Sequence, residues 1–174
     1  YGDSSEEIGY IEQQTPKGID PYSCSKSCVD LITCSYAMTF YLRLASARCS
    51  NIYGPGDRHF SRLVPNAIRS IMNSVPVSVH GDGSLIRDFL YIDDLAYGYL
   101  KLARFLFHSE IPTWESINFG SGIGTKCIDL LTLLARVVDV KIATTFVPIP
   151  KGTILFQTMN TQKAEKLILV NLPT

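Results

Sequence analysis

The chain has 174 residues, of which 46% are hydrophobic and 18% charged, and its 16 basic and 16 acidic residues leave no net charge. This composition argues against disorder, and the balanced charge gives no sign of a nucleic-acid partner or an anionic membrane. No run of about 18 apolar residues is present, so no membrane-spanning helix is expected. No signal peptide is visible either, and the expected location is the cytoplasm.

A first helix is predicted over residues 21–40, after a polar surface loop over residues 1–19. Pro21 suits the first position of a helix, where its missing N–H costs nothing, and Asp20 before it is a good N-cap. The apolar spacing predicts an inward stripe on this helix. The residues of that stripe are Cys24, Cys28, Leu31, Ser35 and Met38.

Tyr22 and Lys26 are four residues apart and therefore share one face of the first helical turns. An ammonium group beside a phenol favours the phenolate and lowers the phenol pKa, which produces a general base usable near neutral pH. The spacing is common by chance. On these two residues alone, the alternative is an exposed helix start without a chemical role.

Five cysteines are present, and we expect them to be reduced and mostly buried. Cys24 and Cys28 share a helix face, but no second Cys/His pair stands at zinc-finger spacing. A metal site is therefore not expected. The other three cysteines are Cys34, Cys49 and Cys127.

A buried strand is predicted over residues 42–48, followed by a loop over residues 51–57 that is rich in Asn, Gly and Pro. In open α/β sheets, ligands gather beyond the carboxyl ends of the strands. This position makes Asn51 a candidate binding residue, with a plain turn as the alternative.

A second helix is predicted over residues 63–73. Strands are predicted over residues 75–80 and 85–91, and the Gly-Asp-Gly turn at 81–83 between them is a strong hairpin signal. The later predicted elements are a helix over 93–107, a strand over 115–119 with a glycine-rich turn after it, a helix over 126–138, a strand over 142–147 and a helix over 161–169. This alternation is typical of an α/β fold.

Arg87 and Asp88 lie inside the second of those apolar runs. A charge pair inside a strand is often a solvent-side couple. An arginine on a strand edge also suits a phosphate group, which it can bind bidentately. Both interpretations remain open from the residues alone.

Four motifs, in order along the chain, resemble the extended short-chain dehydrogenase/reductases, specifically the NAD-dependent nucleotide-sugar epimerase/dehydratase family. The motifs are Pro-Tyr-Ser-Cys-Ser-Lys at 21–26, Arg-Cys-Ser-Asn-Ile-Tyr-Gly-Pro at 48–55, Gly-Asp-Gly at 81–83 with Arg-Asp-Phe at 87–89, and Ile-Asn-Phe-Gly-Ser-Gly at 117–122. The match covers most of residues 1–140. Within the family, residues 25–36 and 56–65 are most similar to the CDP-glucose 4,6-dehydratases.

The resemblance implies the C-terminal part of a Rossmann-type parallel sheet and a smaller mixed α/β substrate-binding domain. Residues 1–55 would end the dinucleotide-binding domain. Residues 56–174 would be mainly substrate-binding, with residues 87–122 partly returning to the Rossmann domain.

Several family features are absent from the sequence. No Gly-x-x-Gly-x-x-Gly fingerprint is present, and the catalytic Ser/Thr with its neighbouring acid or Lys is missing. Near the end, Leu-Val-Asn-Leu-Pro at 169–173 stands where the family has Gly-Trp before Lys-Pro. The expectation is the C-terminal half of an enzyme, truncated at the front, with truncation at the back left open.

The resemblance implies roles for four residues on the cofactor side. Tyr22 would be the base acting on the sugar hydroxyl during hydride transfer to NAD. Lys26 would hold the nicotinamide ribose and tune Tyr22. Cys49 and Ser50 would border the nicotinamide.

On the substrate side, the resemblance implies contacts with a nucleoside-diphosphate sugar. Asn51 and Asn118 would hold the diphosphate or the sugar, and Arg87 would pair with the diphosphate. The residues along the nucleotide would be Arg62, Leu63 and His80.

The implied activity is that of an NAD-dependent 4,6-dehydratase, a lyase that converts a nucleoside-diphosphate hexose to a 4-keto-6-deoxy sugar. One alternative is a 4-epimerase, an isomerase that shares the 4-keto stage. The other is a non-catalytic nucleotide-sugar-binding fragment. The full-length protein is expected to be a homodimer, and this chain alone is expected to be inactive.

Overall fold

The computed structural model describes residues 1–2 and 9–168. Helices and strands alternate from residue 21 onwards. The helices are α1 (Pro21–Phe40), α2 (Leu63–Met72), α3 (Ile92–His108), α4 (Cys127–Val138) and α5 (Gln162–Ile168). All five were predicted to within one residue, except that residue 169, the predicted end of the last helix, lies outside the described residues. None of the described helices is long and apolar enough to cross a membrane.

The strands pair mainly in parallel. They are β1 (Arg43–Cys49), β2 (Asn51–Tyr53), β3 (Val77–His80), β4 (Ile86–Arg87), β5 (Phe89–Tyr91), β6 (Thr113–Phe119), β7 (Thr125–Lys126), β8 (Thr144–Val147) and β9 (Phe156–Gln157). Parallel pairs join β1 to β6, β2 to β5, β3 to β8 and β4 to β9, and β4 also pairs antiparallel with β7. The predicted α/β class is confirmed.

The longest pairing, between β1 and β6, ends where the chain changes partner. The Ser50 N–H donates to the Phe119 carbonyl at 2.8 Å, whereas the Asn51 N–H donates to the Asp88 carbonyl at 3.0 Å. Consecutive residues thus bond to two different strands. This divergence opens the sheet just beyond the carboxyl end of β1.

The predicted hairpin over residues 75–91 is wrong. β3 pairs with β8, 67 residues later in the chain, and β4 pairs with β7 and β9. Gly81 and Gly83 do have positive φ angles of 63° and 85°, as a turn requires. The turn nevertheless sends the chain to a different sheet, because β3 is buried against α2 and α4 through Val77 and Val79.

The predicted inward stripe of α1 is also wrong. Leu31 and Met38 are 71% and 69% exposed, and Cys24 and Cys28 are exposed as well. The residues of α1 that are buried are Asp30 and Ala37. The apolar spacing follows the outer side of the helix, and the inner side carries a polar residue that has a charged partner on β1.

The cysteines therefore differ from the expectation that most are buried. All five are free thiols, and Cys34, Cys49 and Cys127 are half-buried.

The segment before α1 is not a surface loop throughout, in contrast to the prediction. Residues 3–8 of it lie outside the described residues. Tyr10 and Glu12 are buried, and Tyr10 forms a parallel β-bridge with Met159. This segment lies against the end of β6, because the Asn118 N–H donates to Glu12 Oε1 at 2.9 Å.

Candidate functional site

A cleft of about 1290 Å³ lies where the carboxyl end of β1 faces the first turns of α1 and α2. Nine of the ten residues proposed from the sequence line it, and the exception is Asn118. The nine are Tyr22, Lys26, Cys49, Ser50, Asn51, Arg62, Leu63, His80 and Arg87. Residues from six separate elements, α1, β1, β2, α2, β3 and β4, are thereby brought to one cavity.

The N-cap of α1 fixes the wall that carries Tyr22. Asp20 accepts hydrogen bonds from the N–H groups of Tyr22 and Ser23 at 2.9 and 3.1 Å. The Ser23 hydroxyl and then these backbone donors lower the pKa of Asp20. The Asp20 N–H in turn donates to Ser23 Oγ, which completes a capping box. The first turn is therefore held, while the Tyr22 side chain is exposed at the cleft.

Lys26 lies over the Tyr22 ring, with Nζ at 5.5 Å from the ring centroid. The chain contains a second pair of this kind, because Lys101 lies 5.1 Å from the centroid of Tyr97 on α3. Neither Tyr97 nor Lys101 lines the cleft. The spacing alone therefore produces the contact, and the cleft is what distinguishes the first pair from the second.

At the end of β1, Ser50 presents a buried hydroxyl to the cleft, and this Oγ has no hydrogen-bond partner among the described residues. Cys49 Sγ lies 3.7 Å from Tyr99 Oη. Burial raises the pKa of the Cys49 thiol and raises the pKa of Tyr99 to about 12. Both groups are neutral near pH 7, so they offer packing and polarity rather than a reactive anion.

Arg87 provides a half-buried cation at the cleft. Its Nη1 donates to the Ile86 carbonyl and its Nη2 to the Ile154 carbonyl, both at 2.7 Å. No carboxylate of the described residues forms an ion pair with it. Burial lowers the pKa of the guanidinium. A half-buried cation at a cleft is suited to an anionic ligand.

Asn51 lines the same cleft. Its Nδ2 donates to the Asp88 carbonyl at 3.0 Å and to Gln157 Oε1 at 3.3 Å. The plain-turn alternative does not describe the whole loop, because residues 51–53 form β2.

Three more of the proposed residues line the cleft. Arg62 is exposed and pairs with Asp57 at 3.1 Å, and Leu63 begins α2. The His80 ring is exposed and its Nδ1 lies 3.1 Å from the Pro148 carbonyl oxygen.

Asn118 has a different position from the one that the resemblance implies. It is fully buried, and its Nδ2 donates to the Tyr10 carbonyl at 2.7 Å. Its Oδ1 accepts from the Tyr1 hydroxyl. Asn118 thus ties the chain before α1 to the end of β6, and the site proposed below leaves it out.

Sequence reasoning missed the role of Asp88. The side chain is fully buried and forms no ion pair with Arg87, so the solvent-side couple considered above is wrong. Its carboxylate accepts from backbone groups near residues 121 and 159 instead. No local pattern signals those distant donors.

Comparisons with known proteins give the family and the fold. The family model described as "NAD dependent epimerase/dehydratase family" matches residues 1–118. A CDP-glucose 4,6-dehydratase of Salmonella typhimurium is 32% identical over 121 residues, which are 64% of this chain and 33% of that protein. A probable dTDP-glucose 4,6-dehydratase of Sinorhizobium fredii is 33% identical over 133 residues, 75% of this chain and 36% of that one.

A 4-epimerase is also among the relatives. The UDP-glucose 4-epimerase of Mycoplasma genitalium is 28% identical over 145 residues, which are 76% of this chain and 42% of that protein. The chain therefore spans less than half of each of these three relatives.

Solved structures share the fold over the whole chain. DesIV, a dTDP-glucose 4,6-dehydratase from Streptomyces venezuelae with NAD and TYD bound, has a TM-score of 0.85 and 22% identity, covering 99% of this chain and 52% of that one. The UDP-glucuronic acid 4-epimerase from Bacillus cereus, in complex with UDP-glucuronic acid and NAD, has a TM-score of 0.88 and 22% identity. The match covers 100% of this chain and 54% of that one. The chain thus has the fold of part of a Rossmann-type enzyme.

Proposed function

Because the chain belongs to the NAD dependent epimerase/dehydratase family, whose model matches residues 1–118, we propose that it forms the nicotinamide-facing and substrate-facing part of an enzyme acting on a nucleoside-diphosphate sugar. One observation carries the proposal. A Tyr–Lys pair lines the same cleft as a buried hydroxyl and a cation that have, respectively, no hydrogen-bond partner and no carboxylate partner among residues 1–2 and 9–168.

The residues at the end of β1 fit the nicotinamide end of NAD. The buried Ser50 Oγ lacks a partner among the described residues and can bond a polar group of the cofactor, which would remove the cost of an unsatisfied hydroxyl. The neutral Cys49 thiol offers a weakly polar neighbour, and the Lys26 ammonium would donate to the ribose hydroxyls. NAD, when bound, supplies the hydride acceptor and donor.

Tyr22 is proposed as the general base. Its phenolate oxygen would accept the proton of the sugar C4 hydroxyl and become the neutral phenol, while the C4 hydrogen leaves with its electron pair to the hydride acceptor. The Lys26 ammonium beside the ring would stabilise the charged form of the base. Positioned groups of this kind typically accelerate a reaction by a factor of about 100 to 10,000.

Arg87 and Asn51 are proposed to hold the diphosphate of the substrate. The Arg87 guanidinium is oriented by backbone carbonyls and forms no ion pair with a carboxylate of the described residues. Asn51 lines the same cleft, and its amide is oriented by the Asp88 carbonyl and Gln157. Arg62, Leu63 and His80 are proposed to lie along the nucleotide.

At the finer level, we propose a 4,6-dehydratase. Oxidation at C4, loss of water across C5–C6 and return of the hydride would give a 4-keto-6-deoxy sugar. The two relatives at 32% and 33% identity support this assignment. The 28% identical 4-epimerase supports a second candidate, in which the hydride returns to the opposite face of C4.

A homodimer of the natural protein is part of the proposal. The outer side of α1 exposes Leu31, Ile32 and Met38 to solvent. A second copy would remove this apolar surface from water. Light scattering of the natural protein tests the proposal, and a monomer at micromolar concentration would contradict it.

Product analysis tests the proposed activity. The natural full-length protein is incubated with NAD and with CDP-, dTDP- or UDP-glucose, and the products are identified by NMR. A 4-keto-6-deoxy sugar is the expected product. The matching galactose nucleotide would support the epimerase instead, and binding without turnover would support a non-catalytic module. Absence of both binding and turnover for every sugar nucleotide would overturn the proposed function.

A further inference from the structure

Asp88 is a fully buried carboxylate held by four donors from two distant segments. It accepts from the Ser121 N–H at 2.8 Å, the Ser121 hydroxyl at 2.9 Å, and the N–H groups of Gly122 and Met159 at 3.1 Å each. No described Lys, Arg or His pairs with it. Both oxygens are therefore satisfied by neutral donors, which ties the turn after β6 to the chain around residue 159.

The contacts of the Asp88 carboxylate with the turn after β6 and the chain around residue 159 are called the junction below. The backbone of Asp88 forms the cleft side of this junction. Its carbonyl accepts from the Asn51 N–H and from Asn51 Nδ2, both at 3.0 Å. The preceding residue is Arg87, whose guanidinium reaches the carbonyls of Ile154 and Leu155. Asp88 thus contacts Asn51 through its carbonyl and follows Arg87 directly in the chain, while its carboxylate is held by residues 121, 122 and 159.

The junction leaves no room for adjustment. A Cβ at Gly120 would lie 2.4 Å from Asp88 Oδ2 and 2.9 Å from Met159 Cβ. Only glycine therefore fits beside this carboxylate. A side chain enclosed in this way has a single orientation, and so does the backbone that carries it.

We infer that Asp88 is a positioning residue for anion binding: through its buried carboxylate it fixes Arg87 and Asn51 in the geometry that binds a diphosphate. The inference rests on the proposed function, because the diphosphate belongs to the proposed substrate. Asp88 itself does not line the cleft and would not touch the ligand.

The variant Asp88→Asn tests this role with little change in volume. The NH₂ group of the asparagine replaces one carboxylate oxygen and must face the donors that this oxygen accepted from. The two hydrogen bonds to that oxygen are lost, and the contact between Asp88 and its neighbouring segments loosens. We expect UDP affinity to fall about 10-fold or more, the scale of one charge-assisted hydrogen bond. Uridine affinity should change less than about 2-fold, since uridine lacks the phosphates.

Calorimetric titrations with UDP and uridine, and with dTDP and thymidine, supply the readout. Asp93→Asn is the matched control, because Asp93 is an exposed acid in the first turn of α3 and its loss changes the net charge equally. Arg87→Met should likewise weaken the binding of UDP and dTDP more than the binding of uridine and thymidine. Circular dichroism checks that each variant is folded.

Equal losses of affinity for UDP and uridine would show that Asp88 only stabilises the fold, and would overturn the inference. An unchanged UDP affinity would overturn it as well. If Asp88→Asn does not fold, Ser121→Ala removes a single donor to the carboxylate and should weaken UDP about 3-fold without affecting uridine. Wild-type protein that binds neither nucleotide would overturn the proposed function itself, a result distinct from the others.

Discussion

Arg48 near the end of β1 is paired with Asp30 in the middle of α1, with Nε at 2.6 Å from Oδ2. The two side chains are only 14% and 11% exposed. Arg48 Nη1 also donates to the Glu12 carbonyl at 3.1 Å. This pair fixes α1 against β1, so the helix that carries Tyr22 is held against the strand that ends in Cys49.

Breaking this ion pair should destabilise the fold. In Asp30→Asn the arginine keeps its burial and loses its counter-charge, so we expect the free energy of unfolding to fall by about 3 kcal/mol. Urea denaturation at pH 7 measures it. The matched control is Glu115→Gln, which breaks the more exposed pair with Lys163 and should cost only about 1 kcal/mol. Equal losses in both variants would contradict a special role of Asp30.

The N-cap of α1 should make stability depend on pH. The Ser23 hydroxyl and the backbone N–H groups lower the pKa of Asp20 in the folded state below its ordinary value of 3.8. The stability that this carboxylate contributes is therefore present above about pH 4 and is lost as the pH falls through the folded-state pKa.

Asp20→Asn isolates this contribution, because asparagine caps a helix but does not titrate. The difference in free energy of unfolding between wild type and the variant should be constant from about pH 7 to pH 5 and shrink below about pH 4. Urea denaturations across this range measure it. A difference that grows on acidification would show that the sign is wrong.

Tyr22 should act through its hydroxyl. Tyr22→Phe keeps the ring and its contact with Lys26 but removes the proton acceptor, so turnover of the natural full-length protein should fall by about 100-fold or more. NAD affinity should change little. Tyr97→Phe is the control, because Tyr97 has the same contact with Lys101 away from the cleft. Normal turnover in Tyr22→Phe would leave this tyrosine a surface residue.

Lys26 should act on both the base and the cofactor. Lys26→Met keeps the aliphatic stem and removes the charge. Turnover should fall, since the negative charge on Tyr22 loses its neighbouring cation. NAD should bind more weakly because a ribose contact is gone. Lys101→Met provides the control, and unchanged turnover with unchanged NAD affinity in Lys26→Met would be incompatible with the proposed role.

Local chemistry made the start of α1 predictable from the sequence. Asp20 and Pro21 set its first residue, and the four-residue spacing brings Tyr22 and Lys26 together because neighbours on a helix face meet regardless of the rest of the fold. The buried face of α1 was not predictable in this way. It depends on Asp30 meeting Arg48, which lies 18 residues away in the chain.

Contacts over long sequence distances account for the other differences. The Gly-Asp-Gly turn indicates backbone angles but does not indicate which strand pairs with β3. The partner of β3 is β8. Asn118 belongs to a motif of the family, yet its hydrogen bonds reach back to Tyr10, 108 residues earlier. Asp88 likewise depends on donors 33 and 71 residues away. Such partners are set by the assembled fold, which single-sequence patterns do not encode.

The 174-residue chain should bind NAD poorly. The pyrophosphate of a dinucleotide is normally held by backbone amides of a glycine-rich turn at a helix N-terminus, and the sequence contains no Gly-x-x-Gly-x-x-Gly. Only the nicotinamide end would find contacts, at Lys26 and Ser50. The apolar residues exposed on α1 should also make the isolated chain prone to associate.

Calorimetric titration of the purified chain with NAD and with nicotinamide mononucleotide is the measurement. Both should bind with dissociation constants above about 0.1 mM and with similar affinity, because the adenosine half adds no contacts. Ser50→Ala should weaken both ligands to the same extent. Micromolar binding of NAD, with the mononucleotide much weaker, would mean that this chain holds the pyrophosphate by residues other than a glycine-rich turn.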